Sequence, residues 1–445
     1  MSSSPRRSES FHLATPLRLV LGGGLLACTP AALHPPPDGG AAGAAVPLSE
    51  VQLFWSAVTE LELSRATRIA PGREHADFAR GMRLVLDGRM EEAGERFDRL
   101  AGGAADSLVR VASRVALSSV LGYDGRWRDL YDLTASGPHA LRAVGSGRAG
   151  LDLWSAAMRL APEPQYRYVG YPVVLPFSVS GTGTPLVPVR INGRVRHFWL
   201  DTGTSLTLIA SDVAADAGLT PLVPDTLEIV TSVGRIRALP ASVSRLEVGP
   251  LAAADQPAAI VSASELTILN SLGDGRTELV KVDGVVGMDL MRHLNVVIDF
   301  PSGVAILARP RPEQDDRRKR NLFWLGYPVV RAEGPRGVPL YFGLDTGADS
   351  TYVTRNLIRK LPSRLLARRS RWIAGFGGDT LIRTPILSDL QVRAAGREFT
   401  LRNVAVRDSR RLMLFELDGI LGTDVGLGHR VRIDITNGVF EVTSP

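Results

Sequence analysis

The chain of 445 residues has few of the side chains on which metal, disulfide and thiol chemistry depend. It contains one cysteine, Cys28, and seven histidines, none of which are paired at the i, i+4 spacing of a helical metal site. A disulfide framework, a Cys/His zinc site and a thiol nucleophile within the fold are therefore excluded. Neither a Gly-x-Ser-x-Gly elbow nor a Walker loop occurs, and we expect no metal and no cofactor.

Lysine is also nearly absent, since only Lys281, Lys319 and Lys360 occur, and arginine supplies most of the positive charge behind the net charge of +6. Use of arginine in place of lysine along a whole chain reflects a general composition bias and does not indicate nucleic-acid binding. The basic runs RRSRW and DDRRKRN are short and predict solvated loops. We expect no nucleic-acid partner.

Near the N-terminus, two arginines precede an apolar stretch that ends in LLAC at 25–28. This order is typical of a signal peptide, and LLAC resembles a bacterial lipobox, in which the cysteine becomes the lipidated first residue. The alternative is an ordinary signal peptide with an incidental cysteine. The resemblance implies a signal peptide at 1–27, lipidation of Cys28, a flexible tether at 28–48 and a lipid anchor in the bacterial cell envelope. Thr29, in place of an aspartate, favours the outer membrane.

Residues 49–162 show helical periodicity, and Ser49 and Gln52 have the spacing of a capping box. The stretch DGRMEEAGERFDRL at 87–100 resembles the second helix of a tetratricopeptide repeat, and a generic helical bundle is the alternative. We expect a helical domain, separable from the rest of the chain, that recruits a protein partner. GSGRAG at 145–150 matches a dinucleotide-binding pattern, but no strand precedes it, so we interpret it as a loop.

From about residue 165 the pattern changes to alternating apolar residues with frequent turns, as in strands. The landmarks of this part recur twice in the same order. They are GYPVV at 170–174 and 326–330, FWLDTG and FGLDTG at 198–203 and 342–347, VDGVVG and LDGILG at 282–287 and 417–422, and two long strand pairs at 296–307 and 430–442. The duplication predicts two related β-lobes, joined by a linker at 309–321.

Two Asp-Thr-Gly segments, each followed by a glycine turn and by Asp-Gly-(Val/Ile)-(Val/Leu)-Gly, resemble the retropepsin-like aspartic proteases. The Asp-Gly-Ile-Leu-Gly form is similar to the bacterial members. The resemblance covers about residues 165–445 and implies a mainly β, bilobed acid-protease fold, with retropepsin-like β-barrel lobes at 165–308 and 322–445. The predicted fold class is therefore multidomain, with a tetratricopeptide-like α-helical domain followed by this mainly β part.

Peptide hydrolysis without a metal or a nucleophile requires a base that activates water and an acid that polarises the carbonyl group. Two adjacent carboxylates provide both, because like charges in contact cannot both ionise and one therefore keeps its proton. We predict that Asp201 and Asp345 form such a catalytic dyad within one chain. The resemblance implies that Thr202 and Thr346 tie the two loops together beneath the carboxylates.

The resemblance also implies supporting roles around the dyad. Gly203 and Gly347 allow the backbone to approach closely. Thr204 is placed to donate to Asp201, whereas Ala348 offers no donor in the second lobe. Because a hydrogen bond to a charged carboxylate favours the charged form, we expect Asp201 to carry the charge and the second-lobe aspartate to hold the shared proton.

Two turns occupy the flap position of the family, with Gly234 in the first and Phe376 and Gly377 in the second. Phe376 is the aromatic candidate for a flap contact, while Tyr171 and Tyr327 have no assigned role. We interpret the other landmark aspartates as structural, and those that precede a glycine as bonding their own backbone in a turn. These aspartates are Asp283, Asp289, Asp418 and Asp424.

Together these interpretations predict an aspartic endopeptidase that acts on a peptide or protein substrate. One alternative is a catalytically silent lipoprotein that binds peptides or acts as a scaffold on the same fold. The other is a helical-repeat adaptor whose protease half processes only the protein itself, for example within the arginine-rich linker. Substitution of Asp201 separates the first two, because binding would survive and cleavage would not.

Overall fold

The computed structural model describes residues 49–135, 146–179, 183–271, 277–311, 320–361, 365–408, 411–412 and 414–444. The predicted signal peptide, the tether with Cys28 and most of the predicted linker lie outside these residues. Within the described ranges, no helix is long and apolar enough to cross a membrane.

The N-terminal part of the described chain is helical, as its periodicity predicts. Its helices are α1 (Glu50–Thr59), α2 (Leu63–Arg68), α3 (Arg73–Leu86), α4 (Met90–Gly103), α5 (Ser107–Asp124), α6 (Trp127–Ala135) and α7 (Ser146–Met158). The capping box is present at the start of α1, where Ser49 Oγ accepts from Gln52 N and the Gln52 side chain accepts from Ser49 N. We call residues 49–162 the helical domain.

An aromatic cluster forms the core between the first helices. The Trp55 and Phe78 rings lie 5.3 Å apart, and Phe78 contacts Phe97 at 5.6 Å. The helices approach closely because Gly81 has no side chain: a Cβ there would lie 2.6 Å from the Phe97 ring. Burial of rings of this size provides most of the stability of such a layer.

GSGRAG, predicted to be a loop, instead opens α7 from Ser146 onward. The helix continues into Leu151, Trp154 and Ala157, which recur at helical spacing and are all buried. Burial of this face outweighs the low helix propensity of the glycines, because tertiary packing and not local propensity supplies most helical stability.

The remainder of the described chain is mainly β. Its strands are β1 (Gln165–Tyr168), β2 (Val173–Pro176), β3 (Ser178–Val179), β4 (Pro185–Ile191), β5 (Arg194–Leu200), β6 (Leu208–Ala210), β7 (Leu227–Val230), β8 (Arg235–Val248), β9 (Leu251–Val261), β10 (Thr267–Ser271), β11 (Thr277–Lys281), β12 (Gly284–Val286), β13 (Asn295–Asp299), β14 (Val304–Ala308), β15 (Leu322–Trp324), β16 (Pro328–Glu333), β17 (Pro339–Leu344), β18 (Tyr352–Thr354), β19 (Leu365–Gly375), β20 (Gly378–Ala394), β21 (Arg397–Arg407), β22 (Arg411–Leu412), β23 (Phe415–Glu416), β24 (Gly419–Leu421), β25 (Arg430–Asp434) and β26 (Val439–Thr443). Three short helices interrupt them: α8 (Ser211–Asp216), α9 (Met288–Met291) and α10 (Arg355–Lys360).

Most of these strands build one sheet for each lobe and a third sheet between the lobes, while β10–β11 and β22–β23 form two further two-stranded sheets. The first-lobe sheet has the order β1-β9-β6-β12-β5-β4-β8-β7, with β3 paired to β4. The second-lobe sheet has the order β15-β16-β17-β24-β18-β21-β20-β19. The third sheet, β2-β14-β13-β25-β26, takes strands from both lobes, and its β13–β25 pair joins them. Two lobes bridged by one sheet agree with the predicted mainly β, bilobed architecture.

A tight hairpin positions the first Asp-Thr-Gly loop. Asn192 and Gly193, both with positive φ (45° and 86°), connect β4 to β5. An Asn-Gly pair is suited to a two-residue hairpin because both central positions of this turn need positive φ. The last three residues of β5 are buried, so the strand delivers Asp201 from the core to the interface between the lobes.

The two GYPVV strings are not structurally equivalent, contrary to the expected order of repeats. The second contributes to β16, which pairs with β17 so that Val329 faces Gly343. In the first lobe the corresponding partner of β5 is β4, whereas the first GYPVV runs into β2 of the third sheet. Tyr327 is consequently fully buried and Tyr171 is 87% exposed. The two GYPVV segments have the same sequence but different structures, because the neighbouring strands with which each one can pair are different.

The basic run RRSRW, predicted to be a loop, lies within β19. Its backbone pairs with β20, for example Ser370 with Arg383, and most of its side chains face solvent. A strand in a long exposed hairpin can carry charges on its faces because pairing engages only the backbone.

The helical domain packs against both lobes. Helix α7 contacts β7 and β8 of the first lobe, and α3 contacts β15 of the second. The ring of Tyr123, near the end of α5, lies 5.4 Å from the ring of Trp324. These contacts form the interface of the helical domain with the lobes, and its separability stays a prediction.

Candidate active site

The two Asp-Thr-Gly loops leave equivalent strands of the two lobes. Asp201 follows β5 and Asp345 follows β17, and each strand is paired in parallel with a glycine-led strand, β12 or β24. Each carboxylate accepts a hydrogen bond within its own loop: Gly203 N donates to Asp201 Oδ1 at 2.7 Å, and Gly347 N donates to Asp345 Oδ1 at 3.0 Å. The local geometry of the two aspartates is therefore nearly the same.

Each loop glycine packs against the carboxylate of the opposite lobe. A Cβ on Gly347 would lie 2.6 Å from Cγ of Asp201, and a Cβ on Gly203 would overlap the Asp345 carboxylate. No side chain larger than a hydrogen atom fits at either position. The structure thus brings Asp201 and Asp345 together across the interface between the lobes.

Two threonines interlock the loops beneath the carboxylates. Thr202 N donates to Thr346 Oγ1 and Thr346 N donates to Thr202 Oγ1, both at 3.0 Å. The hydroxyl of Thr202 donates to Leu344 O at 2.8 Å, and that of Thr346 donates to Leu200 O at 2.7 Å. Both threonines are buried, so these four bonds are shielded from water and fix the two loops relative to each other.

The glycine-led landmarks support each loop from behind. In the first lobe, Asp289 accepts from Thr207 N and Thr207 Oγ1, both at 2.9 Å. In the second, Asp424 accepts from Thr351 N at 2.9 Å and from Thr351 Oγ1 at 2.6 Å. Burial raises the pKa of Asp289 to about 6 even though these donors lower it. Both aspartates hold backbone that follows the Asp-Thr-Gly turn.

Asp283 and Asp418 also have structural contacts, but not those expected for a turn that bonds its own backbone. Asp283 accepts from His197 N on β5 at 3.0 Å, and Asp418 accepts from Tyr341 N on β17 at 2.8 Å. Each carboxylate therefore ties its loop to the strand that leads to the dyad. The reason is the parallel pairing with β5 or β17, which places a strand N–H opposite the carboxylate.

Sequence reasoning missed the residues that surround Asp418. Lys360 Nζ lies 2.9 Å from its Oδ2, and Asn356 Nδ2 donates to its Oδ1 at 2.8 Å. Asp418 is fully buried, and burial raises its pKa despite the Lys360 charge. The sequence signal was slight: Lys360 is one of three lysines in an arginine-rich chain.

The donor asymmetry expected at the dyad is present. Thr204 Oγ1 donates to Asp201 Oδ2 at 2.7 Å, whereas Ala348 has no hydroxyl to offer Asp345. Which of the two carboxyl groups holds the proton stays a prediction. Burial, followed by the charge of Asp345, raises the pKa of Asp201 to about 7, although Thr204 and Gly203 lower it. Asp201 is buried more deeply than Asp345, and burial favours the protonated form of a carboxyl group.

The two flap candidates meet above the first lobe. Gly234 lies in the β7–β8 turn, and Phe376 and Gly377 form the tip of the β19–β20 hairpin. Gly377 N donates to Glu265 O at 2.9 Å, and the Phe376 ring lies 5.2 Å from the Trp199 ring. The second-lobe hairpin therefore reaches across to the first lobe.

Trp199 was not predicted as a site residue, although it lies two positions before Asp201. It is 2% exposed, and its Nε1 has no hydrogen-bond partner among the residues that the structure describes. The two repeats differ at this position, because the second lobe has Gly343 where the first has Trp199. The difference between the repeats was the signal that could have identified it.

Among the residues that the structure describes, no group of three or more His, Cys, Asp and Glu side chains could hold a metal ion.

Part of the first lobe is similar to a known protein family. Residues 187–290 match a family model described as aspartyl protease, and this stretch runs from β4 through Asp201 to α9. No curated protein matches the chain. Among solved structures, the aspartic proteinase from Irpex lacteus is similar at 12% identity and a TM-score of 0.36, over 61% of this chain and 97% of that chain.

Proposed function

We propose that the protein is an aspartic endopeptidase with Asp201 and Asp345 as its dyad. The observation that carries this proposal is the reciprocal packing of the two Asp-Thr-Gly loops, in which each glycine contacts the opposite carboxylate. The family match to residues 187–290 supports it. The proposed substrate is a peptide or protein, bound beneath the β19–β20 hairpin.

The geometry supports general acid–base hydrolysis by water. Burial and the charge of Asp345 raise the pKa of Asp201 to about 7, so the Asp201 carboxyl group keeps its proton in mildly acidic solution. In this proposal Asp201 is the acid that donates to the peptide carbonyl oxygen, and Asp345 is the base that takes a proton from the attacking water. The Thr202 and Thr346 interlock keeps both carboxyl groups in place, so little reorganisation is needed during the reaction.

Purified full-length protein tested against a peptide library across about pH 3–8, with and without a statine-type inhibitor, provides the test. We expect cleavage that the inhibitor blocks and that Asp201→Asn abolishes. Peptide binding without cleavage in the unsubstituted protein would favour the silent binding protein instead.

For localisation we propose a lipid anchor at Cys28 in the cell envelope, with the protease facing the periplasm or the surface. The LLAC sequence at 25–28 supports this. The multiple acyl chains of a bacterial lipoprotein hold firmly, whereas a single chain anchors weakly. Cys28→Ser protein should remain unprocessed and leave the membrane fraction, and continued membrane binding would contradict the anchor.

We also propose that the helical domain presents an extended surface to a protein partner, as helical repeats do. Cross-linking with the intact protein in cells should capture a partner through residues 49–135. Cross-links confined to the lobes would contradict this role.

A further inference from the structure

Helix α9 joins the catalytic loop of the first lobe to the surface behind it. Met288 N donates to Thr204 O at 2.8 Å, and Asp289 N donates to Ser205 O at 3.1 Å. Thr204 is the residue whose hydroxyl donates to Asp201. These bonds connect α9 to the Asp201 carboxylate through the backbone of the loop and the Thr204 side chain.

Arg292 directly follows α9 and extends to the helical domain. Its guanidinium lies 5.3 Å from the centre of the Tyr123 ring, in a cation–π geometry. Its Nη2 would lie 3.2 Å from a Cβ on Gly125, the left-handed C-cap residue of α5. A cation at this position is favoured because a helix C-terminus carries partial negative charge.

The second lobe has the same support for its catalytic loop. We call this support the brace: Asp289 or Asp424 and the backbone beside it, which bond to the residues that follow the Asp-Thr-Gly turn. The brace of the second lobe lacks the extension to the helical domain. Thr423 N donates to Ala348 O at 2.8 Å, as Met288 N does to Thr204 O in the first lobe. Counted from the brace aspartates, Arg292 corresponds to Leu427, which is 49% exposed. Among the described residues, the link from the brace to the helical domain is thus a property of the first lobe.

We propose that Arg292 is a positioning residue through which the docked helical domain holds the Asp201 loop in its productive geometry. This inference rests on the proposed function. The contact of α7 with β7 and β8 supports it, because the same domain also supports the first-lobe flap hairpin. The helical domain is then a part of the catalytic unit as well as a surface for partners.

Arg292→Met is a suitable variant because it removes the charge, and because Arg292 lines an open cleft of about 660 Å³ between the helical domain and the lobes, which has room for the new side chain. We expect kcat to fall about 10-fold with KM nearly unchanged, since small misplacements of catalytic groups cost this much or more. Arg292→Lys keeps the charge and should restore most of kcat. Leu427→Ala, the matched change in the second lobe, should leave kcat unaltered.

Tyr123→Leu provides the second half of the experiment and decides the question if Arg292→Met does not fold. It should lower kcat as Arg292→Met does, and the double variant should be no worse than the stronger single one, because both break one contact. Unaltered kcat in Tyr123→Leu, or additive losses in the double variant, would overturn the inference. If the unsubstituted protein cleaves no peptide, the proposed function fails first; if it cleaves and both variants match it, only the role of Arg292 fails.

Discussion

The two lobes agree closely at the dyad and differ around it. Both present an Asp-Thr-Gly loop, a threonine interlock and an aspartate brace with matching hydrogen bonds. Outside that set, the first lobe has Trp199 where the second has Gly343, and Asp418 is fully buried beside Lys360 whereas Asp283 is only partly buried. The features that the two lobes share are therefore those that hold the two carboxylates together.

The differences have a common origin in what each lobe packs against. A ring at Gly343 is not possible, because a Cβ there would lie 2.6 Å from the Tyr327 ring, which fills the space. In the first lobe Trp199 lies beneath the tip of the β19–β20 hairpin instead. Each lobe is thus adapted to its own neighbours, and the symmetry is strict only at the shared interface.

The largest effect should come from breaking the symmetric pair itself. Asp201→Asn and Asp345→Asn should each reduce kcat by about 10³-fold or more, because either change removes a proton donor or acceptor. Steady-state kinetics on one cleaved peptide measure this. Full activity in Asp345→Asn would rule out a dyad within the single chain.

The aspartates that precede the glycine-led strands should differ strongly in their effect on stability. Asp418→Asn leaves the Lys360 charge without its buried partner and should cost about 3 kcal/mol of unfolding free energy. Asp283→Asn keeps an acceptor for His197 N in a partly exposed place and should cost less than about 1 kcal/mol. Urea denaturation of both variants compares them, and equal losses would contradict the difference in burial.

Of the two aromatic residues on the β19–β20 hairpin, only Phe376, which contacts Trp199, should affect substrate binding. Phe376→Ala removes the ring that lies on Trp199 and should raise KM by about 10-fold, the effect of losing part of an apolar wall. Trp372→Ala is the control on the same hairpin, because Trp372 is 69% exposed. If the Trp372 variant is the more impaired, the outer face of the hairpin binds substrate.

The shared proton should make stability depend on pH. The pKa of Asp201 is 3.8 as an unperturbed group and about 7 in the fold, so between these values the folded state binds more protons than the unfolded state. The free energy of unfolding should therefore fall as pH rises from about 4 to about 7. Denaturation across this range should show a smaller slope in Asp201→Asn and an unaltered slope in Asp283→Asn.

The smallest effect should come from the donor asymmetry. Thr204→Ala removes a bond that lowers the pKa of Asp201, so this pKa should rise and the alkaline limit of activity should move upward by about one pH unit. Thr204→Ser keeps the hydroxyl and should behave like the unsubstituted protein. A pH–rate profile identical in all three proteins would show that the hydroxyl does not influence the proton.

Much of the architecture followed from local pattern. Helical periodicity indicated the N-terminal helices, alternation and turns indicated the strands, and the repeated Asp-Thr-Gly motif indicated a mainly β, bilobed part with a site between Asp201 and Asp345. These features are readable because periodicity reports which faces are buried, and because a duplicated motif implies a shared geometric task. There were three exceptions: the first GYPVV pairs in the third sheet, and the predicted loops GSGRAG and RRSRW belong to α7 and β19. In each case, packing or pairing with residues distant in the chain decided the structure.

What the sequence alone determined was the chemistry of the pair: two carboxylates, two threonines and two glycines at matched spacing. Only the tertiary structure decided how deeply Asp201 is buried, and this burial raises the pKa of Asp201 although hydrogen bonds from Thr204 and Gly203 lower it. It also decided the contacts of Lys360, Trp199 and Arg292, whose partners are distant in the chain. Burial and charge interactions depend on every neighbour in space, and a linear pattern records only the neighbours along the chain.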